Sequence, residues 1–366
     1  MTSFVVDSDG PMSERANPAP ASIGETGQDA SRATQTWKIL GQTTPKPIND
    51  RFERNGEVIW RQNEDRFHLS ETEDTIVAAV ADGAGSSGMF CGAWADALVD
   101  RLPHTPIADV KGLNDWVDGF WKAFSDSQKQ RAQNDPVKLN KFVREGSCST
   151  LTACWISKKT ATGVPVLNWL CYGDSHLCVF DKKSAQMSLE MSHPVSLSAM
   201  MSDPYLLNWK DLPQEQHVKA GQVELTSSSL VVLASDGIGE YVHLSYLADL
   251  HERHGGDQAH PLNDHSQGLL TQYRQLLHGG NSKLADLALN HSQHGGQGFS
   301  AAMQDMENAL QAGQTFGATV EAHHGNGLLP NDDSTLIMIH YDCEDDATAD
   351  AAHAQQVSAP MTEDAQ

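Results

Sequence analysis

Positive charge is scarce in this chain: 25 Lys and Arg stand against 48 Asp and Glu in 366 residues, a formal charge of -23. That balance argues against nucleic acid or an anionic membrane as the main partner, and suits cation binding or plain solubility. Cysteine is sparse too. Cys91, Cys148, Cys154, Cys171, Cys178 and Cys343 are scattered, mostly within apolar runs and without C-x-x-C spacing, so they read as small buried hydrophobes in a reducing compartment and not as a disulfide framework. Also missing are a basic N-terminal segment with an apolar core and any run approaching about eighteen apolar residues, which leaves a soluble cytoplasmic protein as the expectation.

What is present is a series of short apolar strands that end in carboxylates. Ile76 to Ala81 reads as a buried strand rich in β-branched residues; it stops at Asp82-Gly83, and small residues then open a helix. Leu230 to Ala234 repeats the theme, through Ser235, before Asp236-Gly237. Asn331-Asp332-Asp333-Ser334-Thr335 is a turn feeding an alternating strand, and Gly173-Asp174-Ser175 is a tight turn between strands at 165–171 and 176–180. Glu64-Asp65, flanked by Arg61 and Arg66, lies among short strand-like pieces.

Around these points the chain divides into a tail at 1–36, too poor in large apolar groups to offset its ordering entropy, a domain at 37–342, and an acidic tail at 343–366. Phe90, Ala93, Trp94, Ala97, Leu98 and Leu102 mark one amphipathic helix. Leu113, Trp116, Val117, Phe120, Trp121 and Phe124 mark a second, capped by Asn114, whose aromatic stripe belongs to the core. Residues 184–228 read as irregular. The stretch 241–329 carries helical segments at 266–278, 282–290 and 299–311 between His-, Gly- and Gln-rich pieces. His251, His254, His260 and His265 are loosely spaced with no thiolate beside them, so a solvated loop is expected there and not a metal cluster.

Two chemistries use a glycine loop after a strand. Gly83, Gly85 and Gly88 form G-x-G-x-x-G, the dinucleotide fingerprint, which implies a nucleotide-binding oxidoreductase. The rival takes Asp82 as a metal ligand, with glycines that let backbone approach the ion. An ionised Asp beside the loop repels a pyrophosphate, and the consecutive short strands after Gly146 argue for antiparallel sheets, so the second is preferred. Strand-end carboxylates gathered on one rim repel unless a cation sits among them, and oxygen-only ligands select Mg²⁺ or Mn²⁺ over zinc. The expected object is a two-metal hydrolytic site in which Asp82 bridges the ions, a water activated between them attacks phosphorus, and Arg61 holds the phosphate.

Six blocks taken together, Asn63-Glu64-Asp65, Val80 to Gly85, Gly146 to Leu151, Tyr172 to Ser175, Ala234 to Gly237 and Asp332 to Thr335, resemble the PP2C (PPM) family of metal-dependent serine/threonine phosphatases over residues 50–342. The resemblance implies an α+β fold, an α-β-β-α sandwich of two mainly antiparallel sheets flanked by helices, with the metals at one end. By it Asp82, Asp236 and Asp332 are direct ligands, and the Gly83 carbonyl and either Glu64 or Asp65 serve the second ion. Asp174, with Asp236, supports a third ion in bacterial-type members, and Asp333 stands just outside the ligand set. Ala84 occupies the place where some members carry a His proposed as general acid, which favours the bacterial-type branch; Arg61 lies four residues before Asp65, where the family's arginine usually lies about five before. Residues 184–228 correspond to a flap, in which Met200, Met201 and Trp209 serve packing before substrate choice. The implied partners are phosphoserine and phosphothreonine proteins with a cognate kinase. A pseudophosphatase that binds phosphoproteins without turnover is the alternative.

Overall fold

A computed structural model describes residues 34–48, 51–54, 57–60, 63–182, 187–254, 262–279, 282–294, 298–313 and 315–344. Arg61, His260 and nearly all of both expected tails lie outside the described residues. The strand at β1 (Thr34–Thr44) is followed by the paired β2 (Arg51–Arg54) and β3 (Glu57–Trp60), then β4 (Arg66–Glu71) and β5 (Thr75–Ala81). Four helices come next: α1 (Cys91–Asp100), α2 (Val110–Asp118), α3 (Trp121–Ala132) and α4 (Pro136–Glu145). The strand-rich middle holds β6 (Cys148–Ser149), β7 (Leu151–Ser157), β8 (Val166–Tyr172), β9 (His176–Asp181) and β10 (Ser188–His193). The short α5 (Leu197–Met200), β11 (Leu207–Asn208), β12 (Lys219–Glu224) and β13 (Ser228–Ala234) lead into α6 (Asp236–Arg253), α7 (Asp264–Gly279), α8 (Lys283–His294), α9 (Gly298–Gln311) and α10 (Thr315–Gly325). The last element is β14 (Ser334–Glu344).

Two five-stranded sheets organise residues 35–344, with strand orders β1-β14-β13-β9-β10 and β12-β8-β7-β5-β4. The strand β5 explains the layering. Ile76, Ala78 and Val80 face the other sheet, packed with Val231, Leu233, Ile337 and Ile339, whereas Val77, Ala79 and Ala81 pack under Trp94 and Leu98 of α1. A strand covered on both faces is apolar throughout, as its sequence shows. On the far side Val232, Ala234 and Met338 pack against Ile238, Leu247, Phe299 and Met306 from α6 and α9. The result is the expected α-β-β-α sandwich of antiparallel sheets. Among the described residues, no helix is long and apolar enough to cross a membrane.

The structure departs from expectation in four places. The second helix is split at Gly119–Phe120 into α2 and α3, and its N-cap is Asp109, which accepts the Gly112 N–H at 2.7 Å, and not Asn114. The helix α4 was not expected; Asp135 caps it and Pro136 starts it. Residues 184–228 are not simply irregular, because β10 and β12 each add an edge strand, one to each sheet. The helix α6 begins at Asp236 itself, and α10 follows α9.

Candidate functional site

Register gathers the carboxylates. Arg66 pairs with Ala81, so the start of β4 lies beside the end of β5 and Asp65 comes next to Asp82. Ala234 pairs with Leu336 on one side and His176 on the other, which sets Asp236, Asp332 and Asp174 around the end of β13. Leu151 pairs with Tyr172, so the Asp174 turn also neighbours the segment entering β7, where Thr150 donates its N–H to the Asp82 carbonyl at 2.9 Å. Five strand ends thus share one rim.

The adjacent pair Glu64-Asp65 divides its labour. Asp65 is 1% exposed, and its Oδ2 accepts the Thr335 hydroxyl at 2.9 Å while Oδ1 is buried without a hydrogen-bond partner. Ser235 and Asp82 lie near enough to influence its ionisation, yet neither reaches Oδ1 in hydrogen-bonding geometry. Glu64 turns the other way, toward the backbone of Gly92 and Gly85 at the opening of α1 and in the glycine loop, and burial raises its carboxyl above the ordinary range. A Cβ on Gly85 would fall 2.0 Å from Glu64 Oε2. The anion-binding concavity of the G-x-G-x-x-G loop is therefore filled from within, and β5 runs between the antiparallel strands β4 and β7. Both facts correct the dinucleotide reading, which needs an open loop and a parallel crossover.

Asp333 acts as a clasp. Its two oxygens accept the N–H of Lys46 at 2.9 Å and that of Glu64 at 2.8 Å, which ties three segments together and uses its acceptors on backbone. Asp332 and Asp236 each turn one oxygen to a neighbouring amide, Asp333 N–H at 3.0 Å and Gly237 N–H at 2.6 Å. Gly83 bridges to Ser149, and a Cβ there would meet Glu64 and the Cys91–Gly92 backbone within 2.9 Å.

Burial, with like charge from Asp65, Asp236 and Asp332, pushes the Asp82 carboxyl well above the ordinary range. Burial and the neighbouring Asp174, Asp332 and Asp65 do the same to Asp236. Burial lifts Asp65 to about 7 and Asp174 to about 6. Stripped of a counterion, such a group is driven to hold protons. Among the described residues no three His, Cys, Asp or Glu side chains, as they stand, are placed to hold an ion. The donor set nonetheless fits a hard divalent cation: it is all oxygen, buried, mutually repelling, and includes the unpartnered Asp65 Oδ1.

Glu240 joins this group without having been expected. It lies one turn after Asp236 on α6, its Oε2 is buried without a hydrogen-bond partner, and burial, with Asp174 and Asp332 nearby, lifts it to about 7 against the pull of Lys283. The i, i+4 spacing was visible in the sequence, but only once a helix is seen to start at Asp236. Arg61 lies outside the described residues; Arg66 is engaged with the carbonyls of Asn63 and Asp65. His251 lies on α6 and meets Arg274 Nε at 3.3 Å, and His265 lies on α7 and meets Ser192 Oγ at 2.9 Å, so both are half-buried helix residues in separate local contacts and not part of the expected solvated loop. Met200 is buried and Trp209 stacks on Trp121 with ring centroids 6.0 Å apart, whereas Met201 is exposed.

No family model matches this chain, and neither does any curated protein. Among solved structures it is similar to a serine/threonine phosphatase of S. agalactiae, at 13% identity and a TM-score of 0.40, over 83% of this chain and 99% of that one. It is similar also to the catalytic domain of the serine/threonine protein phosphatase PstP in complex with two manganese ions, at 15% identity and a TM-score of 0.37, over 84% and 100%. RsbX in complex with magnesium is similar at 13% identity and a TM-score of 0.37, over 85% and 100%.

Proposed function

We propose that this chain is a metal-dependent protein phosphatase that hydrolyses phosphoserine and phosphothreonine with two Mn²⁺ or Mg²⁺ ions. The observation that carries the reading is the meeting of buried Asp65 and half-buried Asp82 and Asp236 with Asp174 and Asp332 on one rim, each from a different strand end. Asp65, Asp236 and Asp332 all lie near enough to Asp82 to raise its carboxyl, so Asp82 would be the ligand shared between the ions. Asp236 and Asp332 would hold one ion with it, Asp65 and the Gly83 carbonyl the second, and Asp174 with Asp236 would support a third. Asp65 takes the ligand role that the sequence left open between it and Glu64. When bound, the ions supply charge neutralisation at phosphorus and a water acidic enough to attack at neutral pH. The protein's share is to hold five carboxylates together at the cost of their mutual repulsion, and to bring the phosphate in line, with Arg61 as its anchor. Its substrates are phosphoproteins made by a cognate kinase.

A phosphothreonine peptide, incubated with Mn²⁺, Mg²⁺ or chelator, tests this. Turnover is expected to require the ion and to fall by roughly two decades or more in Asp82→Asn, given the charge stabilisation lost. The alternative is a phosphoprotein-binding pseudoenzyme. Metal uptake with no turnover by the wild type would establish that reading in place of the first.

A further inference from the structure

Behind the carboxylates runs a chain of buried hydroxyls, and it links the two turns that bring Asp82 and Asp174 to the rim. The Asp82 N–H donates to Thr150 Oγ1 at 3.0 Å, and the Thr150 N–H returns a bond to the Asp82 carbonyl at 2.9 Å. Thr150 Oγ1 lies 2.6 Å from Ser175 Oγ, and Thr152 Oγ1 donates to the Ser175 carbonyl at 2.9 Å. Thr150 Oγ1 thus accepts from the Asp82 amide and shares a second bond, in which either hydroxyl can donate, with Ser175, the residue beside Asp174. The methyl group is placed as closely. Gly173 has φ +106°, and a Cβ on it would fall 2.7 Å from Thr150 Cγ2, so the turn rests directly on this side chain. Thr150, Thr152 and Ser175 are all 1% exposed or less. A hydroxyl sealed from water at such a point has no solvent to replace a lost partner.

We propose that Thr150 is a positioning residue that couples the Asp82 loop to the Asp174 turn, fixing how these two carboxylates share divalent cations. The inference rests on the reading of the rim as a cation site, and it adds that ion uptake at Asp174 depends on a hydroxyl that touches no ion. Groups standing behind metal ligands in this way typically govern affinity by about 10–100-fold.

Mn²⁺ titration of the whole protein, followed by calorimetry and by the electron paramagnetic resonance signal of free Mn²⁺, tests the coupling without recourse to turnover. Thr150→Val keeps the shape and deletes the hydroxyl; Thr150→Ser keeps the hydroxyl and deletes the methyl. If the hydroxyl couples the turns, the valine variant loses about 10-fold or more in its weakest Mn²⁺ binding step and the serine variant binds as wild type. Thr150→Val added to Asp174→Asn then costs that step nothing further. Three outcomes overturn the coupling: valine binding like wild type, serine losing more than valine because packing alone matters, or losses at Thr150 and Asp174 that simply add. A wild type that takes up no Mn²⁺ overturns the metal reading and the coupling with it, whereas intact uptake by both wild type and Thr150→Val removes the coupling alone.

Discussion

At Asp65 two demands collide: a carboxylate buried in a well of other carboxylates is useful for gripping a cation and costly to keep ionised without one. Its folded value of about 7 lies above the ordinary 3.8. A carboxyl raised in this way favours the folded protein fully below its unfolded value, and that advantage is lost as pH climbs through the folded one. Asn is neutral throughout. In chelator, the melting temperature of Asp65→Asn relative to wild type is therefore expected to rise from about pH 5 to about pH 8, and saturating Mn²⁺ should abolish or reverse that gain. A difference independent of pH would mean that Asp65 is not buried as described. Asp82 and Asp236 were legible in the sequence because Asp-Gly after an apolar run is a local pattern, and Asp174 and Asp332 because each sits in a turn beside an apolar strand. The choice between Glu64 and Asp65 was not, because it is made by Gly92, Gly85 and Thr335, which fold back from far along the chain.

Most elements were legible where one face or both faces are apolar; α6 is the exception, buried along most of its length yet hidden behind the strand end at Asp236. The strands β5, β7, β9 and β13 announce themselves, but β12, Lys-Ala-Gly-Gln-Val-Glu, is an edge strand with mostly exposed or half-buried side chains and offers no period to read. The aromatic stripe over α2 and α3 was correctly placed in the core, yet a stripe carries no mark of the break at Gly119. The seat of α6 is the element most exposed to a single change. A Cβ on Gly239 would lie 2.2 Å from His176 Cγ, and His176 Nδ1 is 2.9 Å from His243 Nδ1, so the helix and β9 touch through glycine and a buried imidazole pair. Gly239→Ala is expected to cost about 1–3 kcal/mol by overpacking, read from denaturant unfolding. Asp109→Ala should cost about 1 kcal/mol through the lost cap of α2, with no change in Mn²⁺ uptake. If Gly239→Ala is neutral, α6 is not seated on His176.

Over the whole molecule, the layered architecture and the helices α7, α8 and α9 were readable from strand and helix patterning together with the six motif blocks, while the edge strands β10 and β12 and the helices α6 and α10 were not. A cation that binds only the folded state stabilises it by about 2.7 kcal/mol at a hundred times its dissociation constant, which for a domain of this size corresponds to a rise of roughly 4 °C in melting temperature. That rise should be present in wild type and absent in Asp82→Asn and Asp236→Asn. The rim also has a mechanical side. Asp65 and Asp82 flank strands of one sheet, Asp236 and Asp332 flank strands of the other, and the Thr335 to Asp65 bond crosses between them. An ion lodged there would work as a rivet through two plates whose inner faces meet through apolar side chains and which a few hydrogen bonds join at this rim. Sliding of one plate over the other would then be stiffened at a single end, and amide hydrogen exchange should slow on adding Mn²⁺ in β5 and β13 alike, most at the rim and progressively less toward the far ends of the strands.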